Sequence, residues 1–188
     1  MEKRTPDHGI LMQGFEAVTA FLLRFSLAKK LEDRNPNGLD IYTISWLVLE
    51  IVLIIVLVFN TLNSPVKIAL SVLLVYHLFE IGVTSFNSVI IMPLERKRHR
   101  SVPRLFSVVL VNYIEVILTF TVIFKFLLAT DSMLKSLQNS VYLAALNAPV
   151  FNQETNTIIA ASIFEVIFGI LFIAGLIGVL TNYLGSKE

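Results

Sequence analysis

The chain has 188 residues, 55% hydrophobic and 15% charged, with a formal net charge of +1 and a mean hydropathy of +0.76. Ordinary soluble domains carry about 25% charged residues, so a soluble enzyme is disfavoured. An intrinsically disordered chain is excluded, and there is no bulk charge for nucleic acid. With no cysteine, disulfides, thiolate metal sites and cysteine nucleophiles are excluded as well.

The first apolar stretch, Ile10–Leu31, also holds Glu16, Arg24, Lys29 and Lys30, so it does not read as a secretory signal. Leu11, Phe15, Val18, Leu22 and Phe25 step by four, three, four and three residues, which places them in one stripe on a helix. Two readings stand: an amphipathic helix on the cytoplasmic membrane surface, or a helix packed under a bundle. Leu31–Leu39 follows as a polar linker with a Pro-Asn-Gly turn. Residues 1–40 form this cytoplasmic helix and linker.

A bilayer core needs about 20 apolar residues as helix, and four runs meet that length. They are Ile41–Asn60, Val66–Met92, Leu105–Ala129 and Thr157–Leu184. Strands share their Val, Ile, Leu and Phe content, but strands are far shorter, so length decides for helix. Residues 41–92 form the first transmembrane hairpin, turned at Asn63-Ser64-Pro65. Pro93 stops its second helix, and Ser101-Val102-Pro103 reads as an N-cap with an early-turn proline.

Basic residues set the orientation. Lys3, Arg4, Arg24, Lys29, Lys30, Arg34, Arg96, Lys97, Arg98, Arg100, Arg104 and Lys187 fall on one side, Lys67 and Lys135 on the other. The positive-inside rule then puts both termini in the cytoplasm of a plasma or inner-membrane protein.

The third and fourth spans are joined by about 27 residues, Thr130–Asn156. Asp131 or Ser132 can cap a helix there. Met133, Leu134, Leu137, Val141, Leu143 and Ala144 then give an apolar helical pattern too short to span, the length of a re-entrant or interfacial segment. The irregular LNAPVFNQETN follows. Returning backbone of this kind is tolerated at membrane depth only inside protein or a wet cavity.

Span, short helix, loop and span over Pro103–Gly185 resemble the pore module of the potassium-channel superfamily, as found in small bacterial pore-loop channel proteins. The outer helix LVNYIEVILTFTVIFKF is similar, with Asn112-Tyr113-Ile114-Glu115. So is the inner helix SIFEVIFGILFIAGLIGVL, where Glu165, Gly169, Ala174, Gly175 and Gly178 follow the pattern. The resemblance implies residues 103–185 as a pore-loop module in an all-α, four-span protein with a re-entrant segment between spans three and four. It further implies a homo-oligomer, a tetramer, conducting a monovalent cation, with Gly169, Gly175 and Gly178 as the inner-helix hinge. Leu146, Asn147, Ala148, Pro149, Val150 and Phe151 take the filter positions. No cofactor or metal is expected, and no nucleic-acid partner.

The family's filter carries glycines where its carbonyls strip potassium of water, and this stretch has none. A row of inward carbonyls needs φ > 0, which Ala148 and Val150 disfavour, and Pro149 restricts the backbone further. The expectation is poorly selective cation conduction. The alternative is a non-conducting four-span protein acting as sensor, assembly partner or membrane-perturbing effector.

Within the spans lie Glu50, His77, Glu80, Glu115, Lys125 and Glu165. An unpartnered charge at a helix centre costs roughly 2.5–3.5 kcal/mol, so these groups face inward, as an ion pathway or proton relay or as paired groups joining helices. Counting about 1.5 Å per residue from the outer helix ends pairs Glu50 with His77 in depth, and Glu80 with Glu115. Glu165 lies on the presumed pore-lining helix, as a functional group there or, as the resemblance implies, as a brace behind the short helix, and Lys125 reaches either down towards it or up to water. Enzyme readings find little support: the histidines are scattered, no glycine-rich phosphate loop exists, and Ser71 near His77 is a serine–histidine pair that nothing specific supports.

Overall fold

A computed structural model describes residues 10–35, 37–59, 62–87, 102–127, 132–149, 151 and 155–185. Most of these residues are helical, with no strand among them. In chain order the helices are α1 (Ile10–Leu23), α2 (Leu27–Arg34), α3 (Gly38–Phe59), α4 (Ser64–Phe86), α5 (Val102–Leu127), α6 (Met133–Ala144) and α7 (Asn156–Gly185). Four stretches are long and apolar enough to cross a membrane: Gly38–Phe59, Ser64–Phe86, Phe106–Leu127 and Asn156–Gly178. At about 1.5 Å per residue each matches a hydrocarbon core.

The helix starts follow capping chemistry. The Asn63 side chain accepts the Val66 N–H at 3.3 Å, with Pro65 in the first turn. Ser132 caps α6 by accepting the Lys135 N–H at 3.2 Å. Thr155 does the same for Ile158 at 3.3 Å. Pro93, Ser101, the basic run 95–100 and Val150 lie outside the described residues.

The N-terminal stretch departs from the expected single helix. It breaks at Arg24-Phe25, and buried Ser26 restarts it by accepting the Lys29 N–H at 3.1 Å. Helix α2 then runs to Arg34, through the first half of the expected linker. In α1, Thr19 is buried, while Val18, Phe21 and the following Phe25 are exposed.

Helix α5 is central: it packs against α3, α4, α6 and α7. Its Val109, Val116, Phe120 and Phe124 meet Leu78 and Ile81 of α4, Leu143 of α6, and Ile158 and Phe172 of α7 in one apolar core. A smaller cluster joins Leu57, Leu74, Val122 and Met133. The outward faces are apolar too, among them Ile44, Val52, Ile68, Val72, Ile163 and Ile170. That suits a lipid environment, where a helix can be hydrophobic all round.

Candidate functional site

Two features bear on function: the seat of α6 against α5 and α7, and the ionisable groups buried between helices.

Helix α6 turns Ser136, Asn139, Ser140, Leu143 and Ala144 inward, all buried. Ser140 Oγ hydrogen-bonds to the Glu165 carboxyl of α7, and it lies 2.8 Å from the Ile117 carbonyl of α5. Glu165 is 0% exposed. Tyr113 Oη donates to the Ala144 carbonyl at 2.9 Å. Beneath that carbonyl lies Gly169, where an added Cβ would sit 3.0 Å from the Ala144 oxygen. Glycine is therefore required for the close approach of α7 to the end of α6.

The end of α6 is a Schellman closure. The Leu146 N–H donates to Leu143 at 2.9 Å and the Asn147 N–H to Tyr142 at 2.7 Å. Leu146 occupies the left-handed position, with φ 60, where glycine is usual. Strain was expected at Ala148 and Val150; among the described residues the positive φ falls at Leu146 instead. Asn147 and Ala148 are exposed and Pro149 half-buried. Phe151 turns inward, its ring 5.2 Å from that of Phe124. The filter-equivalent residues thus do not share one lining: the first three face out and Phe151 joins the core. Helix α7 is continuous through Gly169, Gly175 and Gly178; Gly175 is buried, and a Cβ at Gly178 would meet nothing within 4 Å.

The intramembrane groups sort into three assemblies. Glu165 belongs to α6, as expected. Glu50 and His77 do meet: His77 Nε2 is 3.7 Å from a Glu50 oxygen. Glu115 joins them, its oxygen 3.9 Å from the same nitrogen. Thr119 Oγ1 donates to Glu50, and the Trp46 indole stacks on the imidazole with centroids 4.0 Å apart and planes 13° apart.

Glu80 does not meet Glu115. Its carboxyl accepts the Leu27 N–H, the Ala28 N–H at 3.2 Å and the Tyr42 hydroxyl. It therefore caps the start of α2, where free N–H groups and the positive end of the helix dipole favour a carboxyl. Tyr76 Oη adds a bond to the Phe25 carbonyl at 3.0 Å. Lys125 is half-buried near the α6 end of α5.

Sequence reasoning missed Tyr42, Trp46, Tyr113, Thr119 and Ser140. A signal existed for three of them. Tyr42, Trp46 and Glu50 are spaced by four, as are Glu115 and Thr119, so each set shares a helix face.

Replacing Glu165 tests its bracing role. Glu165→Leu removes the α7–α6 hydrogen bond while Ser140 keeps the Ile117 carbonyl as acceptor, at a cost of about 1 kcal/mol. Glu165→Gln keeps a polar end within reach of Ser140 and costs less. Denaturant unfolding in detergent micelles should rank wild type, Gln and Leu in that order. A Leu variant as stable as wild type would contradict the role.

Among the described residues no group of three His, Asp or Glu is arranged to hold a metal ion. In comparisons with known proteins, no family model, no curated protein and no solved structure matches this chain.

Proposed function

We propose that this is a pore-loop ion-channel-like membrane protein that works as a homo-oligomer, a tetramer, and passes monovalent cations with poor selectivity. One observation carries the reading. A 12-residue helix, too short to span, is buried between two long apolar helices and fixed there by Ser140–Glu165, Tyr113–Ala144 and the Gly169 contact. A short polar-faced helix held in this way supports a re-entrant segment that presents its C-terminal loop to an opening shared between subunits. One chain supplies one such helix, so a pore needs several copies. Gly169 also packs closely on the end of α6, and Gly178, with open space around it, is free for a pore-side role.

The glycine-free loop argues against potassium selectivity, and the outward Asn147 supplies the polar lining. Orientation follows the basic residues, with both termini cytoplasmic and α6 on the outer side. A second reading, a non-conducting sensor or assembly partner, draws on the packing of Phe151 against Phe124, which withdraws one filter-equivalent side chain into the core.

Reconstitution into planar bilayers under opposed potassium and sodium gradients tests both. The expected result is a cation current reversing near zero. Reversal close to the potassium equilibrium potential would refute the poor-selectivity claim, and absence of current would favour the second reading. In sealed lipid vesicles, Asn147→Cys should react with an impermeant thiol reagent from the outer side.

A further inference from the structure

The groups left over from the pore-loop reading are Glu50, His77 and Glu115, contributed by α3, α4 and α5. All three are buried, at 0%, 1% and 1% exposure. The imidazole is unusual. Neither ring nitrogen has a hydrogen-bond partner, and one oxygen of each carboxyl is also without one. His77 Nε2 is aimed between the two carboxyls, at 3.7 Å from one and 3.9 Å from the other. Those separations exceed a hydrogen bond yet need a shift of under about 1 Å to become one. The ring is held from its face by Trp46, so such a shift slides the imidazole in its own plane towards either carboxyl.

We propose that Glu50, His77 and Glu115 form an intramembrane proton-binding site whose protons move between three helices.

Charge arithmetic supports the proton as the ligand. The groups facing His77 are Glu50, Tyr42 and Trp46 from α3, Glu80 from its own helix by way of Tyr42, and Glu115 and Thr119 from α5. None of these side chains is cationic. Lys125 lies ten residues from Glu115 on α5, about 15 Å along the helix. In a low-dielectric interior an uncompensated charge is expensive, so the cluster is held at net zero by two protons beyond those of a neutral imidazole and two carboxylates. Both protons can sit on the carboxyls. Alternatively one carboxyl O–H breaks and an N–H forms at His77 Nε2, leaving a carboxylate beside an imidazolium. The net charge is the same in each arrangement, so the transfer needs no outside ion.

The arrangements differ in what they join. An imidazolium paired with Glu115 ties α4 to α5, and one paired with Glu50 ties α4 to α3. Thr119 biases the choice by donating to Glu50, which favours the carboxylate there. Proton position is thereby coupled to helix packing in the first hairpin.

The test uses the full chain in lipid vesicles. His8→Gln and His99→Gln leave His77 as the single histidine, so its ring nitrogens are read without ambiguity by nitrogen-15 solid-state NMR. Infrared spectroscopy reads the carbonyl stretch of protonated carboxyls in the same samples. Between about pH 5 and about pH 8, the range in which histidine ordinarily titrates, the His77 nitrogens should report a shared or transferred proton. Glu50→Gln and Glu115→Gln should each remove one component of the acid carbonyl band and shift the His77 signal. The double variant should return His77 to a plain neutral imidazole. Glu165→Gln should remove its own component and leave His77 unchanged, which separates this site from the α6 brace. These near-isosteric changes preserve the fold, which far-ultraviolet circular dichroism checks independently of Trp46, whose indole stacks on the ring under test. Identical His77 signals in wild type and double variant, with no carbonyl component lost in either single variant, would overturn the proposal. So would one tightly retained metal ion per chain.

Discussion

Glu80→Ala should release the α1–α2 segment from the bundle while leaving the spans intact. The Glu80 carboxyl accepts the Leu27 and Ala28 N–H groups and the Tyr42 hydroxyl. At about 1 kcal/mol net for each bond, the loss approaches 3 kcal/mol. That corresponds to roughly a hundredfold change in the ratio of docked to undocked segment. Lys29 and Lys30 lie in α2, so tryptic cleavage there, in vesicles with the α2 side accessible, should speed up by a large factor. Glu80→Gln keeps an acceptor oxygen and should fall between. Tyr42→Phe removes one of the three bonds and should have a smaller effect. An unchanged cleavage rate in Glu80→Ala would mean that α2 is held by apolar contact alone.

Gly169→Val should be the most damaging substitution in α7. Even the first added carbon would stand 3.0 Å from the Ala144 carbonyl oxygen and 3.5 Å from its Cα. Backbone at the end of a capped helix cannot move aside as a side-chain tip can. Overpacking of this kind costs about 1–3 kcal/mol, and valine's branch adds to it. Gly82→Ala makes the internal comparison: its added carbon would meet the Phe168 ring at 3.3 Å, and a ring edge can yield, so that variant should stay near wild type. Because Tyr113 bonds the same Ala144 carbonyl, Gly169→Val and Tyr113→Phe should be non-additive in a double-mutant cycle. Denaturant unfolding in micelles measures both. A Gly169→Val protein as stable as Gly82→Ala would show that α6 is not seated on α7.

The four long helices were legible because length alone separates them from strands, and their ends lie within three residues of those read from hydropathy, except that the second, read to Met92, ends at Phe86, with 88–92 outside the described residues. Helix α6 was legible for a different reason: Ser132 caps it and its apolar residues recur at helical spacing. The meeting of Glu50 with His77 followed from depth. The same depth argument misassigned Glu80, because depth says nothing of which way round the helix a side chain points. Glu80 and His77 are three residues apart on α4, and that offset turns Glu80 away from α5 and towards α2. Two of its three partners are backbone N–H groups, which leave no mark in residue type. The break at Arg24-Phe25 was hidden for the same reason. It uses neither glycine nor proline, only a serine whose capping role appears once Glu80 completes the turn. Leu146 is the clearest failure of local rules. A leucine takes the left-handed position because the Schellman bonds and the α6 seat fix the backbone around it, at a cost of about 1–2 kcal/mol.

Helix α5 carries contacts on both sides of one rod. Glu115 and Thr119 look towards the α3–α4 hairpin, Asn112 reaches Ser85 at 3.0 Å, and Arg104 pairs with Asp40 at 2.9 Å. Tyr113 and Ile117 hold α6. A rotation of this rod about its long axis displaces both sets at once and in opposite senses. Such a rotation would work as a crankshaft, carrying a change of packing at His77 to the seat of the short helix with no loop or hinge between them.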